Sequence, residues 1–359
     1  MTMPDKVLIA MSGGVDSSVA ALLCREEGYE CAGCTMKLYE NEDAGVPAEH
    51  TCCSLSDIED ARRVAYDLDM PYYVFNFSDD FREKIIDKFV RSYLAGLTPN
   101  PCIDCNVHMK FAKLYKRAEQ LGCEYIATGH YARIEKGEDG YVLKKGVDES
   151  KDQSYVLCFL TQEQLAHTLF PLGSLTKSEV RAIAEKNGFI NASKPDSQDI
   201  CFVPDNDYAK VIREYTGKEP EPGDFISPEG EVLGRHKGII HYTIGQRKGL
   251  GVTFGEPKYV CEINPERNTV TLSDNASLFK KEVKVKDINW ISGKAPEGEF
   301  RCTAKIRYNQ KDKPATVFPS GNSALIVFDE PQRAVTPGQA AVMYSGDTVL
   351  GGGIIEKTS

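Results

Sequence analysis

The sequence predicts an α/β protein whose helix-covered parallel sheet gives way to antiparallel β-structure, and three observations predict it. From Lys6 to about Tyr131, short apolar runs alternate with segments of helical period, as strands joined by crossover helices do. Beyond about Asp205, alternating residues stand between Gly, Pro and Asn turns, as in KYVCEINPERNTVTL and FRCTAKIRYN, which is the pattern of half-buried strands. The first strand also runs straight into SGGVDSS, a glycine turn opening a helix, where charged ligands are held. A chain of 359 residues suits two or three domains. The expected divisions are 1–205, a small mixed central domain over 206–280, and a β-barrel over 281–359.

KVLIAM reads as a buried strand and VDSSVAALLCREEGY as a helix ending near Gly28. CAGCTMKLY is a second strand. SLSDIEDARRVAYDLDM is a helix opened by a Ser56 to Glu59 capping box, in which each side chain satisfies an orphan backbone N–H. YYVFNF is a third strand, helices cover about Asp79 to Ala95 and Asn106 to Gly122, and CEYIATGHYA is a fourth strand. A charged hairpin follows (ARIEKGEDGYVLKKG), then two helical pieces, SYVLCFLTQEQLA and TKSEVRAIAEKNG, the second with a Thr176 to Glu179 capping box. KPDSQDICFVPD leads into the alternating part.

Composition excludes several classes. At 41% hydrophobic the chain buries a sizeable core and is no disordered protein. It has no apolar stretch of roughly eighteen residues, so a soluble, cytoplasmic protein without a membrane partner is expected. Twelve cysteines fall below the density of a disulfide-stapled secreted scaffold. Cys24, Cys52, Cys53, Cys123, Cys158, Cys261 and Cys302 are expected to pack in the core. Cys31 and Cys34 share a strand, where odd separation sends them to opposite faces. The net charge of -10 weighs against non-specific phosphate binding. Two stretches oppose that total: Val232 to Leu250, with Arg235, Lys237, Arg247 and Lys248, and Arg301 to Lys313, with five basic residues against Asp312.

SGGVDSS, Ser12 to Ser18, is built as an anion cradle. Two glycines let the backbone approach a charged group, the helix start presents unpaired N–H groups, and the hydroxyls add donors. It is neither a GxxxxGK[ST] nor a GxGxxG loop. Asp16 beside phosphates makes sense as a ligand of Mg²⁺. The stretch resembles the SGGxDS signature of the PP-loop ATP pyrophosphatases, which implies a Rossmann-like, adenine nucleotide alpha hydrolase-like domain. ATP would then be held by Ala10, Met11, Ser12, Gly13, Gly14, Val15, Asp16 and Ser17, with Met36 against the adenine and Gly129 at the end of the fourth strand.

NPCIDCN and DSQDICF carry thiols far apart in sequence. With SGGVDSS, TMKLY, TGHYAR, KDQSY and GQRKGLG, in that order, they make the chain resemble the bacterial tRNA-specific 2-thiouridylases from about Lys6 to its C-terminus. The resemblance implies ATP-dependent replacement of O2 of the wobble uridine by sulfur. Cys105 would be the nucleophile carrying a persulfide, since a thiolate attacks where an alcohol does not. Cys201 would attack it and leave a transient disulfide. The chain departs from the family pattern NPDxxCN in having Cys102 where aspartate is usual. Cys102, Cys105 and Cys201 could instead hold a [4Fe-4S] cluster, so two sulfur routes stay open.

The resemblance also implies contacts to tRNA. Asn100, Pro101 and Cys102 would press on the target base, His130 would touch it, and Lys151, Asp152 and Gln153 of KDQSY would hold an anticodon nucleotide turned out of its stack. Tyr308, Asn309 and Gln339 would meet tRNA from the barrel. The implied partners are the anticodon loops of Lys, Glu and Gln acceptors and a cysteine desulfurase or sulfur-relay protein. Two other readings compete: an amidating PP-loop synthetase, and a non-catalytic nucleotide- and metal-binding RNA chaperone.

Overall fold

The computed structural model describes residues 4–39, 55–195, 200–203 and 207–357. Its first part is a five-stranded parallel sheet in the order β3-β2-β1-β4-β7. These strands are β1 (Lys6–Ala10), β2 (Glu30–Lys37), β3 (Tyr72–Asn76), β4 (Tyr125–Thr128) and β7 (Thr168–Leu169). Alternation sends Leu8 into one apolar cluster and Val7 and Ile9 into another, so both faces of β1 are covered, as parallel sheets require. Cys31 and Cys34 of β2 likewise divide between the two clusters. The two-residue β7 was not foreseen, being too short to show a period.

The helices follow the sequence reading with informative differences. α1 (Val15–Glu26) runs as expected, and α2 (Leu55–Asp67) already includes Ser56, so that residue lies within the first turn rather than at a cap. The helix expected over Asp79 to Ala95 is Ser78–Phe81 and Asp87–Leu94 joined by a π-helical segment, Arg82–Ile86. The next helix starts about a turn before Asn106. Asn100 caps it by accepting from Cys102 N at 3.1 Å, with Pro101 in the first turn, where its missing N–H costs nothing. Cys102 and Cys105 are therefore helical residues.

Beyond the sheet, Thr176 and Glu179 form the expected capping box. Thr161 and Gln164 form another, and the expected single helix around it divides into a 3₁₀ turn, Ser154–Leu157, and a helix, Gln162–Ala166. A helix at Tyr208–Thr216, closed by Gly217 at φ 64°, opens the stretch expected to form a small mixed domain. It precedes a four-stranded sheet of β8 (Gly223–Ile226), β9 (Val232–His236), β10 (Tyr259–Asn264) and β11 (Thr269–Ser273).

The last part is an antiparallel barrel of β12 (Phe279–Trp290), β13 (Phe300–Lys305), β14 (Lys313–Ser320), β15 (Ser323–Arg333), β16 (Ala340–Ser345) and β17 (Thr348–Ile355), closed by pairing of β12 with β17. Closure leaves no raw edge within the ring. The hairpin of β5 (Ala132–Gly137) and β6 (Gly140–Lys145) leaves the end of β4 and adds to β17 through Lys144 and Thr348. Arg133 reinforces that junction by donating to Asp347 at 2.6 Å, and Lys145 by donating to Asp312 at 2.8 Å.

A buried ion pair joins the barrel to KDQSY. Lys305 Nζ lies 3.6 Å from Asp152 Oδ2, with side chains 8% and 7% exposed, among the rings of Tyr155, Tyr308 and Tyr344. Burial pushes the ammonium below its ordinary value. Removing one member of such a pair strands the other charge, so Lys305→Met is expected to cost about 3 kcal/mol in chemical denaturation, part of it recovered by adding Asp152→Asn. A loss within experimental scatter would show that the pair does not join the two parts energetically.

Candidate functional site

The glycine turn sits where β1 meets α1, and β1 has β2 on one side and β4 on the other. The chain reverses direction across the sheet here, which is the crevice open α/β sheets use for ligands. Gly13 has φ 75°, and a Cβ there would lie 2.4 Å from the Asp57 carbonyl oxygen, so the turn is pressed onto α2. Gly14 has open space on its free side, a Cβ meeting only Ser12 Oγ at 3.6 Å. Ser17 and Ser18 hydroxyls donate to Gly14 O at 3.0 and 3.1 Å. Gly129, just past β4, abuts the turn so closely that a Cβ would come 2.9 Å from Ser17 N.

Charge surrounds this turn. Lys177 Nζ donates to both Asp16 oxygens at 2.7 and 2.8 Å, and Tyr131 OH donates to the same carboxylate at 2.7 Å. Lys194 Nζ bonds Gly13 O at 3.3 Å, Asp57 at 2.5 Å and Asp60 at 2.9 Å. Asn191 donates to Gly13 O and Ser18 Oγ, and its Oδ1 is buried with no hydrogen-bond partner among the described residues. The only other such atom there is Asn106 Oδ1, beside Cys105. Orphaned buried acceptors are costly, and both stand next to the turn or the thiol. An open glycine, a helix start and flanking cations fit the phosphates of a nucleotide.

Cys105 opens a π-helical segment, Cys105–Leu114, and is half-buried, while Cys102 is exposed. Cys201 is half-buried too, its carbonyl accepting from Tyr39 OH at 2.5 Å just beyond the end of β2. Both Cys105 and Cys201 pack against one apolar cluster, as does Met36. His130 follows Gly129 and is buried between Phe111 and Phe170, with Nδ1 2.6 Å from Thr128 Oγ1. Burial holds this imidazole well below its ordinary pKa, and hence neutral at pH 7.

The expected RNA-facing residues divide. Tyr308 and Asn309 are exposed. Tyr308 is 37% exposed, yet its partial burial, then Asp152 and Cys102, pushes the hydroxyl up to about 12. Lys151 and Asn100 are half-buried. Pro101 is buried. Asp152 and Gln153 serve as brackets instead: Asp152 accepts from Gly146 and Ser154 backbone N–H, and Gln153 Oε1 accepts from Tyr131 N at 2.9 Å. Gln339 donates to Thr98 O at 2.9 Å, fixing the loop ahead of Asn100.

The two basic stretches differ as well. Arg235, Lys237, Arg247 and Lys248 are exposed. In the second, Lys305 is buried, Arg307 donates to Ile244 O and Ala334 O, and Arg301 pairs with Asp329. Cys24, Cys123 and Cys158 are buried, with Cys261 and Cys302 half-buried, and burial raises all five thiols. Cys52 and Cys53 lie outside the described residues, as does 196–199 of the second thiol segment. No three His, Cys, Asp or Glu side chains gather as a metal site among the described residues, so Cys102, Cys105 and Cys201 do not form a cluster donor set in this structure. No described helix is long and apolar enough to cross a membrane.

Sequence reasoning missed Lys177, Lys194, Asn191 and Tyr131. Tyr131 stood inside a motif already singled out, but Lys177 looks like an ordinary first-turn residue of a capped helix, and only the fold brings it to Asp16.

Residues 5–205 match a family model described as "tRNA methyl transferase HUP domain", 209–274 one described as "tRNA methyl transferase PRC-barrel domain", and 280–355 one described as "Aminomethyltransferase beta-barrel domain". Among curated proteins, the tRNA-specific 2-thiouridylase MnmA of Clostridioides difficile is 56% identical, with 100% of both chains covered. That of Acetivibrio thermocellus is 52% identical over 98% of this chain and 99% of its own, and that of Clostridium beijerinckii 48% over 99% of each.

Proposed function

This chain belongs to the tRNA-specific 2-thiouridylase family, and we propose on that premise that it is an ATP-dependent tRNA sulfurtransferase acting at C2 of the wobble uridine. One observation carries the reading most: a phosphate-fitting turn at the end of β1, flanked by Cys201 beyond the end of β2 and by the Cys105 helix beside His130 at the end of β4.

The uridine O2 attacks the α-phosphorus of ATP, the bond to the β-phosphate oxygen breaks, and pyrophosphate leaves. The turn residues 10–17 and Gly129 hold the phosphates, with the adenine against Met36. Asp16, now paired with Lys177, is the carboxylate that would hold Mg²⁺, and the ion would supply charge neutralisation at the leaving pyrophosphate. The terminal sulfur of a persulfide on Cys105 then attacks C2, and AMP departs with the C–O electron pair. Cys201 thiolate attacks Cys105 Sγ, the persulfide S–S bond breaks, and sulfur stays on C2. The resulting Cys105–Cys201 disulfide takes two electrons from an external thiol reductant before another turnover.

Neutral, buried His130 is engaged through both ring nitrogens, by Thr128 and Lys110, so it shapes the wall of the base pocket without adding charge. Asn100, Pro101, Cys102 and Lys151 line the approach with Tyr308 and Asn309, and Cys102 supplies a thiol where relatives of the common pattern have a carboxylate. Lys, Glu and Gln acceptors are the proposed substrates, a cysteine desulfurase or relay protein the sulfur donor, and the cytoplasm the compartment. Incubation with ATP, unmodified tRNA and a persulfide donor is expected to yield AMP, pyrophosphate and 2-thiouridine. Binding of tRNA and ATP without turnover would replace this reading by that of a nucleotide-binding RNA chaperone.

A further inference from the structure

Lys110 is a half-buried lysine for which no carboxylate partner exists among the described residues. Its place in the fold is specific. The helix that carries it ends at Gln120, shortly before β4 begins at Tyr125, so the chain descends along this helix toward the amino edge of the sheet. Lys110 Nζ stands 3.4 Å from His130 Nε2, level with the carboxyl end of β4. Cys105, five residues earlier in the π-helical segment, is one turn further out, because i→i+5 bonding stacks residues five apart. His130 is adjacent to Gly129, whose Cα lies against the backbone of Asp16 and Ser17. The ammonium is therefore carried on the helix of the proposed nucleophile and touches the residue next to the glycine that abuts the phosphate-binding turn.

A half-buried cation lacking a counterion retains a desolvation cost that an anionic ligand offsets. Lys177 and Lys194 are already engaged by Asp16, Asp57 and Asp60, whereas among the described residues Lys110 meets a neutral imidazole. We propose that Lys110 binds the α-phosphoryl group of the nucleotide, the group that must lie between the attacking sulfur and the pyrophosphate cradle. This assignment rests on the nucleotide reading of the glycine turn. A phosphate of the tRNA backbone offers the same chemistry, but the contact with His130 sets Lys110 beside the turn rather than on the exposed barrel face.

The test is calorimetric titration with AMP, and anisotropy titration with unmodified tRNA, of the full chain, Lys110→Met and Lys110→Arg. Loss of one charge-assisted contact predicts AMP binding weakened about tenfold to a hundredfold in Lys110→Met and about threefold or less in Lys110→Arg, with tRNA affinity unchanged. Equal AMP affinity in the parent and Lys110→Met overturns the assignment. Loss of tRNA affinity with AMP binding intact overturns it too, giving the lysine to the RNA backbone. Should Lys110→Met not fold, Lys110→Gln, which keeps a polar end, carries the same comparison. Neither titration requires turnover, so a parent chain that binds AMP yet never thiolates tRNA would sink the proposed activity while leaving this result readable.

Discussion

Cys105→Ser is expected to bind ATP and tRNA like the parent chain and to form no 2-thiouridine, a loss of at least about a thousandfold. The substitution exchanges sulfur for oxygen at a half-buried position on a capped helix, so packing changes little. Chemistry changes completely. A serine hydroxyl carries no persulfide and is hardly ionised at neutral pH, whereas a thiolate is both a carrier and a nucleophile. Quantifying nucleosides after digestion of the tRNA checks the result, with pyrophosphate release measured in parallel. Retained thiolation would remove Cys105 from the mechanism, and lost tRNA binding would mean that the residue shapes the surface rather than the reaction.

Gly13→Ala is expected to weaken ATP binding by at least about tenfold and to lower stability by about 2–4 kcal/mol. The residue has φ 75°, and the added Cβ would fall 2.4 to 2.8 Å from three backbone atoms of Asp57. Backbone cannot rotate away as a flexible side chain would, so the first turn of α2 must move. Asp57 is held by Lys194, which also bonds Gly13 O, so the displacement spreads through the cradle. Gly14→Ala separates strain from function: its φ is -89° and its Cβ would meet only Ser12 Oγ. Thermal denaturation should show Gly14→Ala close to the parent and Gly13→Ala well below it. Equal melting of the two would mean that α2 yields easily.

The sequence was most legible where one period or one motif determined the outcome. β1, β2 and β4, the glycine turn, the Thr176 capping box and the hairpin all carry signals local to a few residues, and all are present. Legibility failed where the determinant is distant. Nothing near Lys177 announces Asp16, and nothing in Gln339 announces that its amide is spent on the Thr98 carbonyl. Lys305 and Arg307 read as a basic face because composition cannot distinguish a solvated cation from one buried among tyrosines or tied to carbonyls. The π-helical turn at Cys105 was equally hidden, since a single widened turn leaves the apolar period almost unaltered.

The hairpin of β5 and β6 leaves the parallel sheet at Tyr131 and meets β17 at one pair, Lys144 with Thr348. Cutting the chain near residue 205 would remove that pairing and strip the ribbon of its salt links to Asp312 and Asp347. The amino-terminal portion is thus expected to be less stable when excised, because the ribbon rooted one residue from His130 would lose the barrel residues that hold its far end.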